Sequence, residues 1–239
     1  MKPTRLIILG ATGSIGRQAI DCVEKANAAE PGRFIVAGLS AGRNAEALAA
    51  AGRRFPGAVL ALDASAADGE SFRFRGPGAS CRLLRETEAD LAVNGIAGAA
   101  GLLASIEALA AGDHLALANK ESVVMGYSHL AALAQKRGVG IVPVDSEHAA
   151  LFQLVRRIGK PSIAELTITA SGGPFRARSL AELERITPDE AAHHPVWKMG
   201  RKISIDSATL ANKGLELIEA VRLFGMPEER VKVLIHPES

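Results

Sequence analysis

Two carboxylates stand one residue apart where an apolar run of the chain ends. Asp145 and Glu147 follow the run 142–144, with Ser146 between them. If the run is a strand, carboxylates two residues apart on extended backbone point to one side, at the edge where such sheets bind ligands. Hard oxygen ligands suit Mg²⁺ or Mn²⁺ better than zinc. The alternative is a helix start, with Asp145 or Ser146 as the cap and Glu147 in the first turn.

A second polar cluster lies about sixty residues further along the chain. Within ten residues it holds Ser207, Asn212, Lys213 and Glu216. If the chain is helical from Thr209, Asn212 and Glu216 lie one turn apart on one face, with Lys213 beside them. The cluster therefore offers a third carboxylate, together with donors for a phosphate or for hydroxyl groups.

Two further segments carry side chains that suit a ligand site. Ser171 precedes a Gly-Gly pair whose backbone is able to close on an anion. His194 stands near Trp197 and Met199 in a segment with enough hinge residues to act as a lid. The alternatives are an ordinary surface histidine and a tryptophan that serves packing.

A glycine-rich loop follows the first predicted strand. The segment LIILGATGSIGRQAI places three glycines between an apolar run and a predicted helix that begins at Ser14. Glycine permits the tight turn and the close backbone approach, and a helix N-terminus favours a pyrophosphate. This context predicts dinucleotide binding, with a purely structural turn as the alternative. The predicted cofactor contacts are Gly10, Thr12, Gly13, Ser14 and Ile15.

The end of the second predicted strand indicates which dinucleotide binds. Gly42, Arg43 and Asn44 stand there, and this short segment carries no acid to bond a ribose 2′-hydroxyl. An arginine suits a 2′-phosphate, so NADP is predicted. The alternative is that Arg43 is a solvated residue at a helix start.

A third strand end carries Asn119, Lys120 and Glu121. At the carboxyl edge of the same sheet these residues would reach the nicotinamide side of the crevice. An Asn-capped helix with a surface lysine explains the segment equally well.

Composition and patterning define the broad class. The 239 residues are 48% hydrophobic and 23% charged, and 28 basic against 26 acidic residues leave a net charge of +2. No basic tract suits nucleic acid or a membrane surface, two cysteines give no disulfide framework, and no apolar run is long enough for a signal peptide. We therefore expect a cytoplasmic protein.

Residues 1–145 alternate short apolar runs with Ala-rich helical stretches. This predicts an α/β fold with a Rossmann-like, doubly wound parallel sheet that binds NADP. Around 63–78 the composition suggests a surface excursion. Residues 146–239 predict an α+β catalytic region.

Taken together, the motifs resemble those of the 1-deoxy-D-xylulose 5-phosphate reductoisomerase family. The matching segments are GATGSIG, ANKES, PVDSEH, TASGGPFR, HPVWKMGRKISIDSATLANKGLELIEA and LIHPES, in that order. The resemblance implies an NADPH-dependent enzyme of non-mevalonate isoprenoid synthesis. It also implies a homodimer, and a C-terminal helical domain that we expect to be absent from this chain.

The resemblance assigns roles to individual residues. Asp145, Glu147 and Glu216 would bind one divalent cation, Mn²⁺ or Mg²⁺, with Co²⁺ also suitable. The cation would stabilise alkoxide and enediolate character during a carbon shift, before NADPH reduces the resulting aldehyde. Lys213 and His194 join the carboxylates as catalytic residues. The implied substrate contacts are Ser146, Ser171, His194, Trp197, Ser207, Asn212 and Lys213, with His236 near the site.

The sequence departs from the family pattern at Ala149, Val196 and Lys198, none of which is an expected metal ligand. Two other functions stay open. A semialdehyde dehydrogenase shares the glycine loop but needs a nucleophilic cysteine, which neither Cys22 nor Cys81 is placed to supply. An NADP-binding sensor would bind the cofactor without metal-dependent turnover.

Overall fold

The chain was analysed as a computed structural model that describes residues 2–64, 72–193 and 200–236. It divides into two compact units, Met1–Asp145 and Ser146–Ser239. Across the described ranges, none of the helices combines the length and the apolar character that crossing a membrane requires.

The first unit is a seven-stranded parallel sheet with helices between its strands. In chain order its elements are β1 Thr4–Leu9, α1 Ser14–Ala29, β2 Phe34–Ala41, α2 Ala45–Arg54, β3 Val59–Leu62, β4 Phe74–Arg75, α3 Ala79–Glu86, β5 Leu91–Asn94, α4 Gly101–Ala111, β6 His114–Leu117, α5 Lys120–Arg137 and β7 Ile141–Pro143. The strand order is β4-β3-β2-β1-β5-β6-β7. The predicted α/β class and the doubly wound parallel sheet are confirmed.

The central strands are apolar on both faces because helices cover both sides of such a sheet. Ile7, Ile8 and Leu9 of β1 are fully buried, and apolar residues of α1 and α2 pack with β1, β2 and β3 in one core cluster. The strand order reverses between β1 and β5, which is where open α/β sheets bind ligands. The core therefore fixes the position of the loop that follows β1.

The predicted surface excursion contains more structure than its composition indicates. Phe74 and Arg75 form the edge strand β4, in which Phe74 pairs with Ala61 and is buried. The helix α3 follows directly after Gly78, which adopts a φ of 79°. Two residues are too few for a periodic pattern, so the sequence carries little signal for this strand.

The second unit packs helices around a short parallel sheet. Its elements are α6 Ser146–Ile158, β8 Leu166–Ala170, α7 Leu180–Leu183, α8 Pro188–Ala191, α9 Arg201–Ala208, α10 Ala211–Phe224 and β9 Val231–Ile235. Strands β8 and β9 pair in parallel from Leu166 opposite Val231. Their inward residues pack with α6 and α10 in a core that includes Leu151, Ala220 and Phe224.

Two elements of the second unit differ from the expectations. Residues Arg201–Ala208, for which no helix was expected, form α9, and α10 begins at Ala211 rather than at Thr209. Leu210 separates the two helices with a φ of 60°, the one positive φ outside glycine among the described residues. The left-handed backbone at Leu210 ends one helix and redirects the chain into the next.

Candidate functional site

The glycine loop after β1 is built for close backbone approach. Gly10 has a φ of 70°, and a Cβ added there would stand 2.8 Å from the carbonyl oxygen of Gly95, which follows β5. A Cβ on Gly16 would stand 2.5 Å from the Cα of Ala11. Neither backbone neighbour is able to rotate away, so both positions require glycine.

The N-terminus of α1 is open to an anion. Gly13 is its N-cap, and within the described ranges no side chain caps this end and its first turn holds no acid. The first N–H groups of a helix lack partners within the helix and carry the positive end of its dipole. Thr12, Ser14 and Ile15 are positioned around this end. Together with Gly10, the loop has the form of a phosphate cradle.

The residues at the end of β2 differ in what their side chains do. Gly42 and Arg43 are exposed directly after the strand. Asn44 caps α2, because its Oδ1 accepts a hydrogen bond from the backbone N–H of Ala47 at 2.9 Å. The guanidinium of Arg43 is thus the charged group at this strand end.

The side chain of Asn119 connects the loop after β5 to the start of α5. Its side chain is 2% exposed, caps α5 by accepting from the N–H of Ser122 at 2.8 Å, and donates to the carbonyl oxygens of Ile96 and Gly98. It also donates to Glu121 Oε2 at 3.0 Å. The capping alternative therefore describes Asn119 correctly.

The surface-lysine alternative is wrong for Lys120. Its side chain is 8% exposed, and its Nζ lies 2.6 Å from Asp145 Oδ2. A buried lysine requires a partner charge, and this carboxylate supplies it. The pair ties the start of α5 to the end of the segment that carries β7.

In the second unit, Glu147 and Glu216 converge on one lysine. Lys213 Nζ lies 2.9 Å from Glu147 Oε1, forms an ion pair with Glu216 Oε2, and donates to the carbonyl oxygen of Thr169 at 2.6 Å. Carboxylate oxygens of Glu147 and Glu216 lie within 4.8 Å of each other. The structure thus places side by side two acids that lie far apart in the sequence.

The local backbone at Glu147 differs from the expectation. Ser146 begins α6, so Glu147 lies in the first helical turn and the argument from alternating extended backbone is wrong there. The helix-start alternative is therefore correct for Glu147, because the helix dipole favours an acid in the first turn. Ser146 Oγ donates to Glu147 Oε2 at 2.7 Å. Glu147 meets Glu216 because α6 packs against α10.

Asn212 and Glu216 lie on one face of α10, as expected from their spacing. Asn212 Nδ2 donates to Glu216 Oε1 at 2.5 Å, one turn along the helix. Glu216 is 1% exposed and Lys213 is 9% exposed. The buried Glu216 and the partly buried Glu147 suit a divalent cation, since their oxygens are hard ligands and the ammonium of Lys213 offsets only one of their two charges.

The Gly-Gly pair brings the Ser171 loop against the end of α9. Gly173 has a φ of 70°, and a Cβ there would stand 2.7 Å from the carbonyl oxygen of Ser207. Ser171 Oγ accepts from the Gly173 N–H at 3.3 Å. His236 continues the strand pairing next to this loop, donating its N–H to the carbonyl oxygen of Ala170 at 2.8 Å. Ser171 and Ser207, two of the implied substrate contacts, are therefore on adjoining segments.

His194 and Trp197, with the departures Val196 and Lys198 and the neighbouring Met199, lie outside the described residues.

One buried pair was missed by the sequence reasoning. His148 and Glu219 are 0% and 1% exposed, and His148 Nδ1 lies 3.6 Å from Glu219 Oε2. The other ring nitrogen of His148 lies 2.9 Å from the carbonyl oxygen of Glu216. Spacing places Glu219 near Glu216 on α10, but the meeting of Glu219 with His148 depends on the packing of α6 against α10.

Comparison with known proteins gives one consistent family. A family model described as 1-deoxy-D-xylulose 5-phosphate reductoisomerase matches residues 6–126, and one for that enzyme's C-terminal domain matches residues 141–224. The curated 1-deoxy-D-xylulose 5-phosphate reductoisomerase of Treponema pallidum is 48% identical over 239 residues, covering 100% of this chain and 61% of the relative. That of Mycobacterium marinum is 46% identical over 238 residues, covering 98% and 58%.

Solved structures agree with this result. A structure of DOX-P reductoisomerase in complex with NADPH, fosmidomycin and magnesium aligns with a TM-score of 0.85 at 36% identity, covering 99% of this chain and 62% of that one. The reductoisomerase of Zymomonas mobilis in complex with NADPH aligns with a TM-score of 0.84 at 40% identity and the same coverage. The chain spans about three fifths of the length of the curated relatives it matches. With both of its units matched in sequence and in fold, the chain belongs to the 1-deoxy-D-xylulose 5-phosphate reductoisomerase family.

Proposed function

We propose that the protein catalyses the NADPH-dependent and divalent-metal-dependent conversion of 1-deoxy-D-xylulose 5-phosphate to 2-C-methyl-D-erythritol 4-phosphate. The observation that carries the proposal is the convergence of Glu147 and Glu216 on Lys213, in a chain of this family. The net reaction consumes one NADPH and one proton, so the site must orient a cofactor and a sugar phosphate together.

The cofactor assignment is supported by the cradle after β1. Gly10 and Gly16 leave room where a side chain would clash with backbone, and the end of α1 favours a pyrophosphate. Arg43 is exposed where the 2′-phosphate of NADPH would lie in such folds. Lys120 and Glu121 are assigned to the nicotinamide side, and Asn119 holds their loop in place.

The metal assignment names Asp145, Glu147 and Glu216 as ligands of Mn²⁺ or Mg²⁺, with Co²⁺ as a further candidate. Glu147 and Glu216 lie within one cation's reach of each other, and Asp145 precedes Glu147 by two positions. When bound, the cation supplies Lewis-acid stabilisation of oxyanion character on the substrate.

Lys213 has two roles in this proposal. Without the divalent cation its ammonium pairs with both Glu147 and Glu216 and offsets one of their two negative charges. With the cation bound, those carboxylates are satisfied, and Lys213 becomes available to the substrate phosphate. Its Nζ remains oriented by the carbonyl oxygen of Thr169, which contributes no charge.

The remaining substrate contacts position the phosphate and the hydroxyl groups. Ser171 and Ser207 lie on adjoining segments, and Asn212 is one turn from Glu216. Ser146 lies beside Glu147. His194 and Trp197 complete the proposed set. Holding the phosphate at a distance from the reacting carbons supplies orientation.

We assign the protein to the cytoplasm as a homodimer. Val233, Leu234 and Ile235 of β9 are between 39% and 51% exposed. Exposed apolar residues on a short sheet favour association with a second copy.

The test is consumption of NADPH by the purified chain with 1-deoxy-D-xylulose 5-phosphate and Mn²⁺. We expect oxidation of NADPH that requires both substrate and metal, and production of 2-C-methyl-D-erythritol 4-phosphate. Asp145→Asn should abolish turnover and leave NADPH binding nearly intact, while Glu165→Gln, an exposed acid of the second unit, should have no effect. Turnover that survives in Asp145→Asn would refute the metal assignment. NADPH binding without turnover in the unaltered chain would favour the sensor alternative.

A further inference from the structure

A polar cavity lies in the first unit at the amino ends of strands β5 and β6, away from the glycine loop at their carboxyl edge. Its volume is about 470 Å³, within the range of small-molecule sites. It is formed by the end of α3, the connection to β5, the end of α4 and the residue before β6. The lining residues are Leu84, Arg85, Glu86, Thr87, Glu88, Ala89, Glu107, Ala110, Ala111 and Asp113.

Two buried polar atoms of this lining have no hydrogen-bond partner. Over residues 2–64, 72–193 and 200–236, nothing donates to Asp113 Oδ2, and Thr87 Oγ1 likewise has no partner. Asp113 is 3% exposed. A buried polar group without a partner costs free energy, and such groups are rare in folded proteins. Two of them lining one cavity point to a ligand that satisfies both.

The cavity lining carries more acidic than basic side chains, which favours a cationic ligand. Arg85 is the single basic residue of the lining, and Glu107 already accepts two hydrogen bonds from it, each of 2.9 Å. Glu88 and Asp113 add two further carboxyl groups, and Glu86 adds a third whose charge is partly offset by Arg73 Nη2 at 3.8 Å. The C-terminal ends of α3 and α4 both contribute to the lining, and helix C-termini carry the negative end of the helix dipole.

The shape and lining favour an organic cation over a metal ion. No group of three metal-ligating side chains among the described residues includes Asp113. The volume also exceeds what a bare ion fills, and Leu84, Ala89 and Ala110 offer apolar surface. An alkyl chain with a charged end matches both features.

We propose that this cavity binds a small aliphatic primary ammonium ion, with its charged end at Asp113 and Thr87. The ammonium donates to the Asp113 carboxylate and to Thr87 Oγ1, and its alkyl part lies against the apolar lining. The site is independent of the proposed reductoisomerase activity, because it involves none of the residues assigned to cofactor, metal or substrate.

Burial, reinforced by the nearby Asp90 carboxylate, raises the pKa of Asp113 to about 7. Asp113 is therefore mostly protonated at pH 6 and mostly charged at pH 8, so the cation should bind more tightly at pH 8. The other titratable groups that line the cavity are Arg85, Glu86, Glu88 and Glu107, and Asp90 acts on Asp113 through its charge.

Calorimetric titration of the full chain with butan-1-amine tests this site, with butan-1-ol as the uncharged control. Phosphate buffer is required, because Tris is itself a primary ammonium ion. We expect saturable one-site binding of the amine, tighter at pH 8 than at pH 6, and none of the alcohol. Asp113→Asn should weaken binding by about tenfold or more, as expected for loss of a charge-assisted hydrogen bond.

The matched control is Glu46→Gln, which removes one exposed acid of the same unit outside the cavity. Thr87→Val should weaken binding without changing net charge, which separates a built site from general attraction. The proposal is overturned if butan-1-amine does not bind the unaltered chain, or if Asp113→Asn binds it no more weakly than Glu46→Gln. Circular dichroism of each variant shows whether its fold is retained.

Discussion

Replacing Asp113 by Asn should stabilise the protein at high pH and leave its stability almost unchanged at low pH. Asp113 is 3% exposed and its pKa is raised to about 7 from 3.8, mainly by burial and then by Asp90. The folded protein therefore holds this proton more tightly than the unfolded chain does. The asparagine side chain would have nearly the same shape as the protonated acid and would carry no charge at any pH.

The direction of the pH dependence follows from the proton count. Below pH 3.8 both states of the wild type are mostly protonated at Asp113, and the group has little effect on the free energy of unfolding. As pH rises through the window from 3.8 to about 7, the unfolded chain ionises first and stability is lost. Above about pH 7 the loss in the free energy of unfolding that Asp113 causes is complete. At about 1.36 kcal/mol per pH unit, it amounts to about 4 kcal/mol as an upper value.

Urea denaturation followed by circular dichroism at pH 4 and pH 8.5, in acetate and phosphate buffers, measures this effect. The advantage of Asp113→Asn over wild type should be below about 1 kcal/mol at pH 4 and should be larger at pH 8.5, up to about 4 kcal/mol. Glu46→Gln, an exposed control, should give the same small difference at both values. An Asp113→Asn advantage that does not grow with pH would refute the reasoning.

Three further predictions concern the glycine loop, Lys213 and the turn before α10. Gly16→Ala should abolish NADPH binding measured by fluorescence, because its Cβ would meet backbone at 2.5 Å, whereas Gly57→Ala, with nothing within 4 Å, should bind normally. Lys213→Met should destabilise the metal-free protein by about 3 kcal/mol, since the buried Glu216 and the partly buried Glu147 lose their ammonium. Mn²⁺ should then raise the melting temperature of Lys213→Met more than that of Lys202→Met, and an equal rise would count against a shared cation position. Leu210→Gly should be more stable to urea than Leu210→Ala by about 1 kcal/mol, because only glycine adopts a φ of 60° without cost; the opposite order would contradict the strain at this turn.

The sequence predicted the sheet because its strands are buried on both faces. Runs such as Ile7–Leu9 are continuous and apolar, and the helices between them carry clear patterns. The edge strand β4 has two residues and so presents no period. The helix α9 was missed because its first turn is polar and because Leu210, rather than a glycine or a proline, ends it.

The candidate site was predictable in its residue types and less so in its contacts. Asn212 and Glu216 meet because they stand one helical turn apart, which spacing alone determines. Lys213 reaches Glu147 only through the packing of α6 against α10, and no local pattern reports that packing. For the same reason, the pairing of His148 with Glu219 and the burial of Lys120 beside Asp145 became visible only in the structure.

The central claim is that Glu147 and Glu216, with Asp145, bind one divalent cation. Titration of the full chain with Mn²⁺, followed by electron paramagnetic resonance of the free ion, measures this binding without requiring turnover. We predict one site in the wild type and in the exposed control Glu165→Gln, and a loss of affinity of about a hundredfold in Glu216→Gln. Equal Mn²⁺ affinity in wild type and Glu216→Gln would contradict the claim.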